Sequence, residues 1–520
     1  MSQYKNIIAL AAVCLASLMF GLEISSVPVI LPTLETVLHG NFNKVQWIMN
    51  AYTIACTTVL MATGTLADRY GRKRIFIISI VSFGITSLIC GLAQSMSVLI
   101  VGRFLQGMSG GAMLICQIAI LSNQFQDAKE RGKAFAAWGI VFGIGMGFGP
   151  IIGGMIVAVS KWEWVFLVHV LIAILTLVLA YSGVKESRDP ETKKLDVIGI
   201  ATLSLSVFGI AYFITQGQGL GFTSAIALGI LAASVISFIA FIIAEKTNPH
   251  PMFDFSVFKV RRFSGALLGS IGMNFSFWPF IIYLPIYFQS GLGYDSVTAG
   301  LSLLAYTLPT LVVPPLGERL SLRYQPGIVI PLGLFTIGLG FILMKFGSET
   351  DHASWLTMLP GSLLAGVGLG LTNTPVTNTT TGSVPSTRAG MASGIDTSAR
   401  MISLAVNIAL MGFILVSGVF SYLKSALPGL LNTLQLRSLA ERIAAGDITA
   451  LKQSFPEIPS LDPSGAVVHA AIAHGFGWVM LYGGIGVWVI AGVSFIIFGP
   501  WKSDRVCDNR SHSEKGSSTI

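Results

Sequence analysis

An all-α polytopic membrane protein is the fold class this chain predicts, and three features of the sequence predict it. Hydrophobic residues make up 53% and charged residues only 11% of 520 positions, with a mean hydropathy of +0.74. A water-soluble domain carries about a quarter charged residues. Apolar runs of about 18 or more residues, enough to cross about 30 Å of hydrocarbon as a helix, recur along the chain. The Lys and Arg residues behind the net charge of +8 sit in short clusters between those runs and form no basic face. Membrane orientation and lipid headgroups explain them better than nucleic acid does.

Fourteen spans follow in order. The first, 7–31, comes after a short polar start with only Lys5. It is too long for a signal-peptide core and lacks an Ala-x-Ala cleavage pattern, so it reads as a transmembrane helix. Next come 47–66, 75–93, 98–121, 134–159 and 164–184, each bounded by polar or basic residues, and these close an N-terminal six-helix bundle over 1–190. The spans 197–215 and 222–244, joined by the glycines at 217, 219 and 221, form an added pair of linker helices over 191–246. The remaining six, 263–288, 299–316, 328–344, 355–376, 391–420 and 467–498, form a C-terminal six-helix bundle over 247–500, with a polar tail at 501–520.

Between the last two spans lies a loop, 421–466, too long for a simple turn and expected on the external side. Its middle mixes Leu434, Leu439 and Ile443 with Arg437, Glu441 and Arg442, which suits either an amphipathic helix at the interface or a linker.

An even number of spans puts both termini on one side. The clusters Arg69, Arg72, Lys73 and Arg74; Lys129, Arg131 and Lys133; Lys185, Arg188, Lys193 and Lys194; and Lys259, Arg261 and Arg262 all fall in alternate loops on that side. The positive-inside rule makes it cytoplasmic, in the cell (inner) membrane.

Several chemistries find no support. Cys14, Cys56, Cys90 and Cys116 lie in apolar spans and Cys507 in the tail, so five free thiols are expected, with neither a disulfide framework nor metal-ligand spacing. The glycines at 143–149 and 366–370 lack the preceding strand of a dinucleotide fold, and no Walker phosphate loop occurs. His469 and His474 are five apart and miss the zinc spacing of a metalloprotease helix. No catalytic constellation appears, so an enzyme is not expected.

Charge inside the spans is what remains. Glu23 lies roughly 24 Å along the first helix from Ile7 at about 1.5 Å per residue, well inside the hydrocarbon. Desolvation there penalises the ionised carboxylate, which suits a group that takes up and releases a proton, and it could equally attract a cationic substrate. Arg103 opens the fourth span, and at about 100° per residue Gln106, Gly107, Gly110 and Gln117 share its face, a polar stripe that belongs toward the protein interior. The alternatives are an Arg103 that snorkels to the headgroups or one that pairs quietly with Glu23.

In the fifth span, Gly143, Gly145, Gly147, Gly149, Pro150, Gly153 and Gly154 combine a proline, which removes a backbone hydrogen bond and bends a helix, with small residues that let a neighbour approach. Asp396 and Arg400, four apart, read as a local helical pair before a coupling one. His169 reads as a packing histidine. Asn274, Phe275, Phe277, Trp278 and Tyr283, with Thr372, Asn373, Thr374 and Asn378, are candidates to line a cavity together with Gln106 and Gln117, against the alternative of core packing.

Four strings carry a resemblance, and a fifth is a weaker echo. Gly64-Thr-Leu-Ala-Asp68-Arg69-Tyr-Gly71-Arg72-Lys73 resembles the loop signature of the major facilitator superfamily. Leu99, Arg103, Gln106 and Gly107 resemble its fourth-helix motif, associated there with proton transfer. Gly145, Gly149, Pro150, Gly153 and Gly154 resemble its antiporter signature, with Ala136 where the longer pattern has glycine. The string from Leu22 to Pro32 resembles the first-helix motif of the fourteen-helix drug:proton antiporters, with Glu23 in place of the usual Asp. Gly317-Glu-Arg319-Leu-Ser-Leu-Arg323 is a degenerate echo of the loop signature.

The resemblance implies a major facilitator fold and proton-coupled efflux by alternating access. Glu23 and Arg103 would respond to the proton, the loop residues would close a cytoplasmic gate, and Gly145 to Gly154 would supply the bend. It implies small-molecule substrate, protons and the bilayer as partners, a proton gradient and no cofactor, and leaves a periplasmic adaptor open. A dedicated metabolite or siderophore exporter with the same machinery is the alternative.

Overall fold

The computed structural model describes residues 2–38, 42–188, 196–248, 255–294, 296–350, 352–385, 388–427, 432–445 and 466–499, and among them every regular element is a helix. The first group is α1 (Ser2–Val37), α2 (Phe42–Tyr70), α3 (Arg72–Gly91), α4 (Met96–Gln124), α5 (Ala128–Val159) and α6 (Trp164–Gly183), followed by the pair α7 (Val197–Leu220) and α8 (Ala225–Thr247). The rest comprises α9 (Arg261–Phe275), α10 (Phe277–Ile286), α11 (Ser296–Thr307), α12 (Pro309–Val312), α13 (Pro314–Tyr324), α14 (Pro326–Ser348), α15 (Trp355–Gly382), α16 (Ala389–Ala426), α17 (Thr433–Ala445) and α18 (Ala466–Phe498).

Each of the fourteen apolar runs falls on one helical rod. The ninth is α9 continued by α10 and a π turn at Tyr287–Gly291, and the tenth is α11 to α13 in series. Prolines explain the tenth rod's breaks: Pro309 and Pro314 each start a new segment, where a missing N–H costs least, and the rod turns by 44° between Thr298–Val312 and Pro314–Tyr324.

Among the described residues twelve helices are long and apolar enough to cross a membrane, and the bent rod makes a thirteenth. The fourteenth is α2, which is less apolar because it carries Thr57, Thr63 and other polar groups that are buried in protein. It packs against α4, α7 and α16, so little of it faces outward and it needs no lipid-facing stripe.

Helix starts follow local chemistry. Asp127 caps α5 by accepting the N–H groups of Lys129 and Glu130 at 3.0 and 2.9 Å, and Asp196 caps α7 through Gly199 at 2.8 Å. Between α2 and α3 the chain reverses at Gly71 with φ +112°, a backbone only glycine adopts freely.

One core gathers Phe20, Tyr52, Phe76, Phe83, Phe135 and Trp138 inside α1 to α6, and a second gathers Phe277, Phe280, Tyr306, Phe341 and Phe476 inside the later helices. A third, with Leu203, Val207, Phe241, Phe263, Met391 and Ile395, fastens α7 and α8 beside α9 and the start of α16. The loop between α16 and α18 does contain an amphipathic helix, α17, but its Leu436, Leu439 and Ile443 are buried in the second core against α16 and α18. A protein surface, instead of the lipid interface, covers that apolar face. Leu434's side chain and 446–465 lie outside the described residues, as does the tail 501–520 with Cys507.

Candidate functional site

Glu23 on α1 and Arg103 on α4 form an ion pair in which neither side chain is exposed. Arg103 does not snorkel. Its Nε donates to the Ile48 carbonyl at 3.1 Å, its Nη1 also donates to Gln106 Oε1 at 2.8 Å, and its guanidinium lies 4.3 Å from the Tyr52 ring centroid. Gln106 passes the chain on, donating to Ser87 Oγ at 2.8 Å. Five helices thus converge on one buried carboxylate, since His169 of α6 also brings Nδ1 to 3.4 Å from Glu23 Oε2 while bonding the Val165 carbonyl at 3.0 Å. The shorter contact is the hydrogen bond and the longer one is electrostatic. Glu23 Oε2, Arg103 Nη2, His169 Nε2 and Tyr52 OH are buried with no hydrogen-bond partner.

The expected polar stripe on α4 faces the interior. Gly107 and Gly110 sit against Tyr52, and a Cβ at Gly107 would strike the Tyr52 backbone. Gln117 is different: it accepts from Trp138 Nε1 at 3.0 Å in the packing between α4 and α5, fully buried.

At the end of the molecule that carries the Gly64 to Lys73 loop, the two groups of helices are locked together. Asp68 accepts Nε and Nη2 of Arg72 at 2.9 and 2.7 Å, and the backbone N–H groups of Gly390 and Met391 in the first turn of α16 at 3.2 and 3.0 Å. A carboxylate at a helix N-terminus meets both unpaired donors and the positive end of the dipole. Lys73 Nζ donates to the Tyr181 carbonyl at 2.6 Å, and Arg69 lies over the Tyr70 ring at 5.3 Å. Glu186, which stands in no motif, accepts the N–H groups of Lys73 and Arg74 at 3.1 and 3.2 Å and so caps α3.

The glycine string of α5 lies along α1. A Cβ on Gly145 would stand 2.9 Å from the Leu18 carbonyl and 3.1 Å from the Gly21 Cα, one on Gly149 would fall on Ser25 Oγ, and one on Gly153 would meet Ser26 at 3.0 Å. Ser25 Oγ donates to the Gly145 carbonyl at 2.9 Å and to the Gly21 carbonyl at 2.8 Å, stitching the two helices. α5 stays helical through the string, Gly154 included. The side chain of Pro150 lies outside the described residues.

In the later helices Asp396 and Arg400 do pair, Nε to Oδ2 at 3.0 Å, but the pair is not merely local. Arg400 donates to Asn373 Oδ1 at 2.7 Å and Thr377 Oγ1 at 2.8 Å on α15, and Ser270 of α9 donates to Asp396. Asn274 bonds its own helix at the Ser270 carbonyl, and Trp278 meets Phe142 of α5 edge-on across the two groups at 6.4 Å. Five of the residues expected to line one cavity therefore divide: Gln106 and Gln117 belong to the first group's networks, Asn373 to the Arg400 network, and Asn274 and Trp278 to α9 and α10. Ser25 and Glu186 escaped sequence reasoning, and His169 read only as a packing residue, because the importance of each comes from a distant partner.

Residues 13–408 match the family described as the Major Facilitator Superfamily. Over 442 residues the chain is 29% identical to the multidrug resistance protein Stp of Mycobacterium tuberculosis, covering 84% of this chain and 81% of that one. Over 411 residues it is 29% identical to the tetracenomycin C resistance and export protein of Streptomyces glaucescens, covering 79% and 76%. Its fold is similar to that of the proton:xylose symporter XylE, with a TM-score of 0.58 at 14% identity over 95% of each chain.

Proposed function

The chain belongs to the Major Facilitator Superfamily and is a multi-pass membrane transporter, not an enzyme; from that premise we propose that it exports small amphipathic or cationic molecules in exchange for protons. The observation that carries this reading is the Glu23–Arg103 pair, an acid and a base withdrawn from solvent inside apolar helices. Charge arithmetic makes the exchange. The pair is neutral while Glu23 is ionised and carries one positive charge once Glu23 is protonated, so a proton and a cationic substrate oppose each other at one place.

Alternating access then needs two arrangements of the halves around that site. The Asp68 clasp on α16 holds one of them, with Gly64, Arg69, Gly71, Arg72 and Lys73 shaping the gate on the side the positive-inside rule makes cytoplasmic. Gly145, Gly149, Pro150, Gly153 and Gly154 let α5 bend and slide along α1. Each proton entering supplies about 2.3 kcal/mol per 100 mV of membrane potential, plus the pH-gradient contribution. The names of the multidrug resistance and the resistance and export relatives support outward transport.

The test is uptake of a lipophilic cation into proteoliposomes under an imposed proton gradient, for the wild-type chain and Glu23→Gln. Gradient-driven flux should vanish in the variant while gradient-free exchange of the cation persists. Unchanged gradient-driven flux in Glu23→Gln would sink the assignment.

A further inference from the structure

We propose that Asp396, with Arg400, is a second proton-exchange site, in the C-terminal half of the transporter; this rests on the proton-coupled reading above. Asp396 is 1% exposed and Arg400 retains 12% of its side-chain exposure, so the base borders accessible space while the acid lies behind it. An ionisable pair at this depth is costly to keep, and its geometry is not what simple stapling of one helix would require. Arg400 is held from α15 by Asn373 and Thr377, and Asp396 from α9 by Ser270, so the acid sits where three helices meet.

The position on α16 matters most. Asp396 lies six residues from Gly390, about 9 Å along the helix, and Gly390 and Met391 are the residues Asp68 grips. Gly394, between them, packs on Met61 and the Leu60 carbonyl of α2. One rigid helix therefore carries both the clasped terminus and the acid.

The groups that face Asp396 make its protonation consequential. On α16 the charged neighbour is Arg400; α9 presents the neutral Ser270, α15 the neutral Asn373 and Thr377, α7 the apolar Leu203 and Val207 near Ile395, and α2 brings Asp68 at the clasped end. When a proton from the accessible space binds a carboxylate oxygen of Asp396, the bond from Arg400 Nε is weakened. Arg400 keeps only neutral partners, and the network passes from neutral to one positive charge. A cationic substrate is then repelled from both halves at once, by the protonated Glu23 pair and by this one. The sequence spacing of four residues disguised the site as a helical surface pair.

The experiment measures protons released per tetraphenylphosphonium bound by detergent-solubilised full-length protein, for wild type, Asp396→Asn, Asp396→Glu and Ser270→Ala. Asp396→Asn should release about twofold fewer protons per bound cation than wild type, and its tetraphenylphosphonium affinity should lose part of its pH dependence. Asp396→Glu should restore both, which a purely structural role would not require. Ser270→Ala, which keeps the acid and removes one donor, should displace the pH profile of binding and serves if Asp396→Asn does not fold. Proton release and pH profiles equal to wild type in Asp396→Asn, or an unmoved profile in Ser270→Ala, overturn the proposal while leaving the Glu23 reading intact. A wild-type protein that releases no proton on binding overturns both.

Discussion

Gly64 of α2 and Gly390 of α16 touch across the seam between the two halves: a Cβ built on Gly64 would stand 2.5 Å from the Gly390 carbonyl oxygen. Asp68, one turn further along α2, bonds the N–H groups of Gly390 and Met391. Small side chains bring the backbones close, and the carboxylate then reaches a helix terminus it could not otherwise meet.

Gly64→Val should force the seam apart, because the obstacle is backbone and cannot rotate away. Spin labels on α2 and α16 flanking the seam should report a longer distance, and gradient-driven export should fall by about an order of magnitude or more. A seam distance equal to wild type would show that the clasp tolerates separation.

Arg103→Ala should be far more damaging to the fold than Glu23→Gln. The first removes the donor shared by Glu23, Gln106 and the Ile48 carbonyl and leaves the volume of a fully buried side chain empty, a loss of about 3–5 kcal/mol when a buried pair is broken. The second leaves Arg103 an amide oxygen in place of the carboxylate, besides Gln106 and the Ile48 carbonyl. Thermal unfolding in detergent separates them, and equal melting of the two variants would argue that the pair is not buried as described.

Gly145→Val should part α1 from α5. Its side chain would meet the Leu18 carbonyl and the Gly21 Cα, and Ser25 would lose its bond to the Gly145 carbonyl. Folded yield in membranes should drop, and a compensating change is not available at Gly21, which already lacks a side chain. Normal yield with normal export would mean that close approach of these helices is dispensable.

Gln325→Gly should stabilise the protein. Gln325 joins α13 to α14 with φ +74° and ψ 146°, a region that suits glycine, just as Gly71 with φ +112° joins α2 to α3. Relief of that strain is worth about 1–3 kcal/mol, part of it offset by the entropy glycine adds to the unfolded chain. The melting temperature should rise, whereas Gly71→Ala should lower it, since its Cβ would also press on the Glu186 carboxylate.

The tenth span and α2 show how far the sequence can be read. Apolar length located all fourteen rods, α2 included, although α2 fails a strict hydropathy test: its threonines are buried against protein, which only neighbours can decide. The three breaks in the second half, at Ser276, Pro309 and Pro314, include two at prolines and so were readable, yet the 44° turn depends on what α15 and α5 pack against it. Gln325 was invisible, because nothing in its identity announces the reversed backbone that glycine announces at Gly71.

For the site, residue type and depth selected Glu23 and Arg103, because a charge in an apolar run is expensive wherever the chain folds. The sequence by itself determined that this is a bundle of membrane-crossing helices with an acid and a base inside it, since hydrocarbon thickness and desolvation act on each segment alone. Only the tertiary structure decided that Glu23 meets Arg103 and His169, that Asp68 reaches α16 more than three hundred residues away, and that the Asp396–Arg400 pair joins three helices. Those pairings hang on how helix faces pack, and a periodicity repeated in every rod leaves the choice of neighbour unspecified.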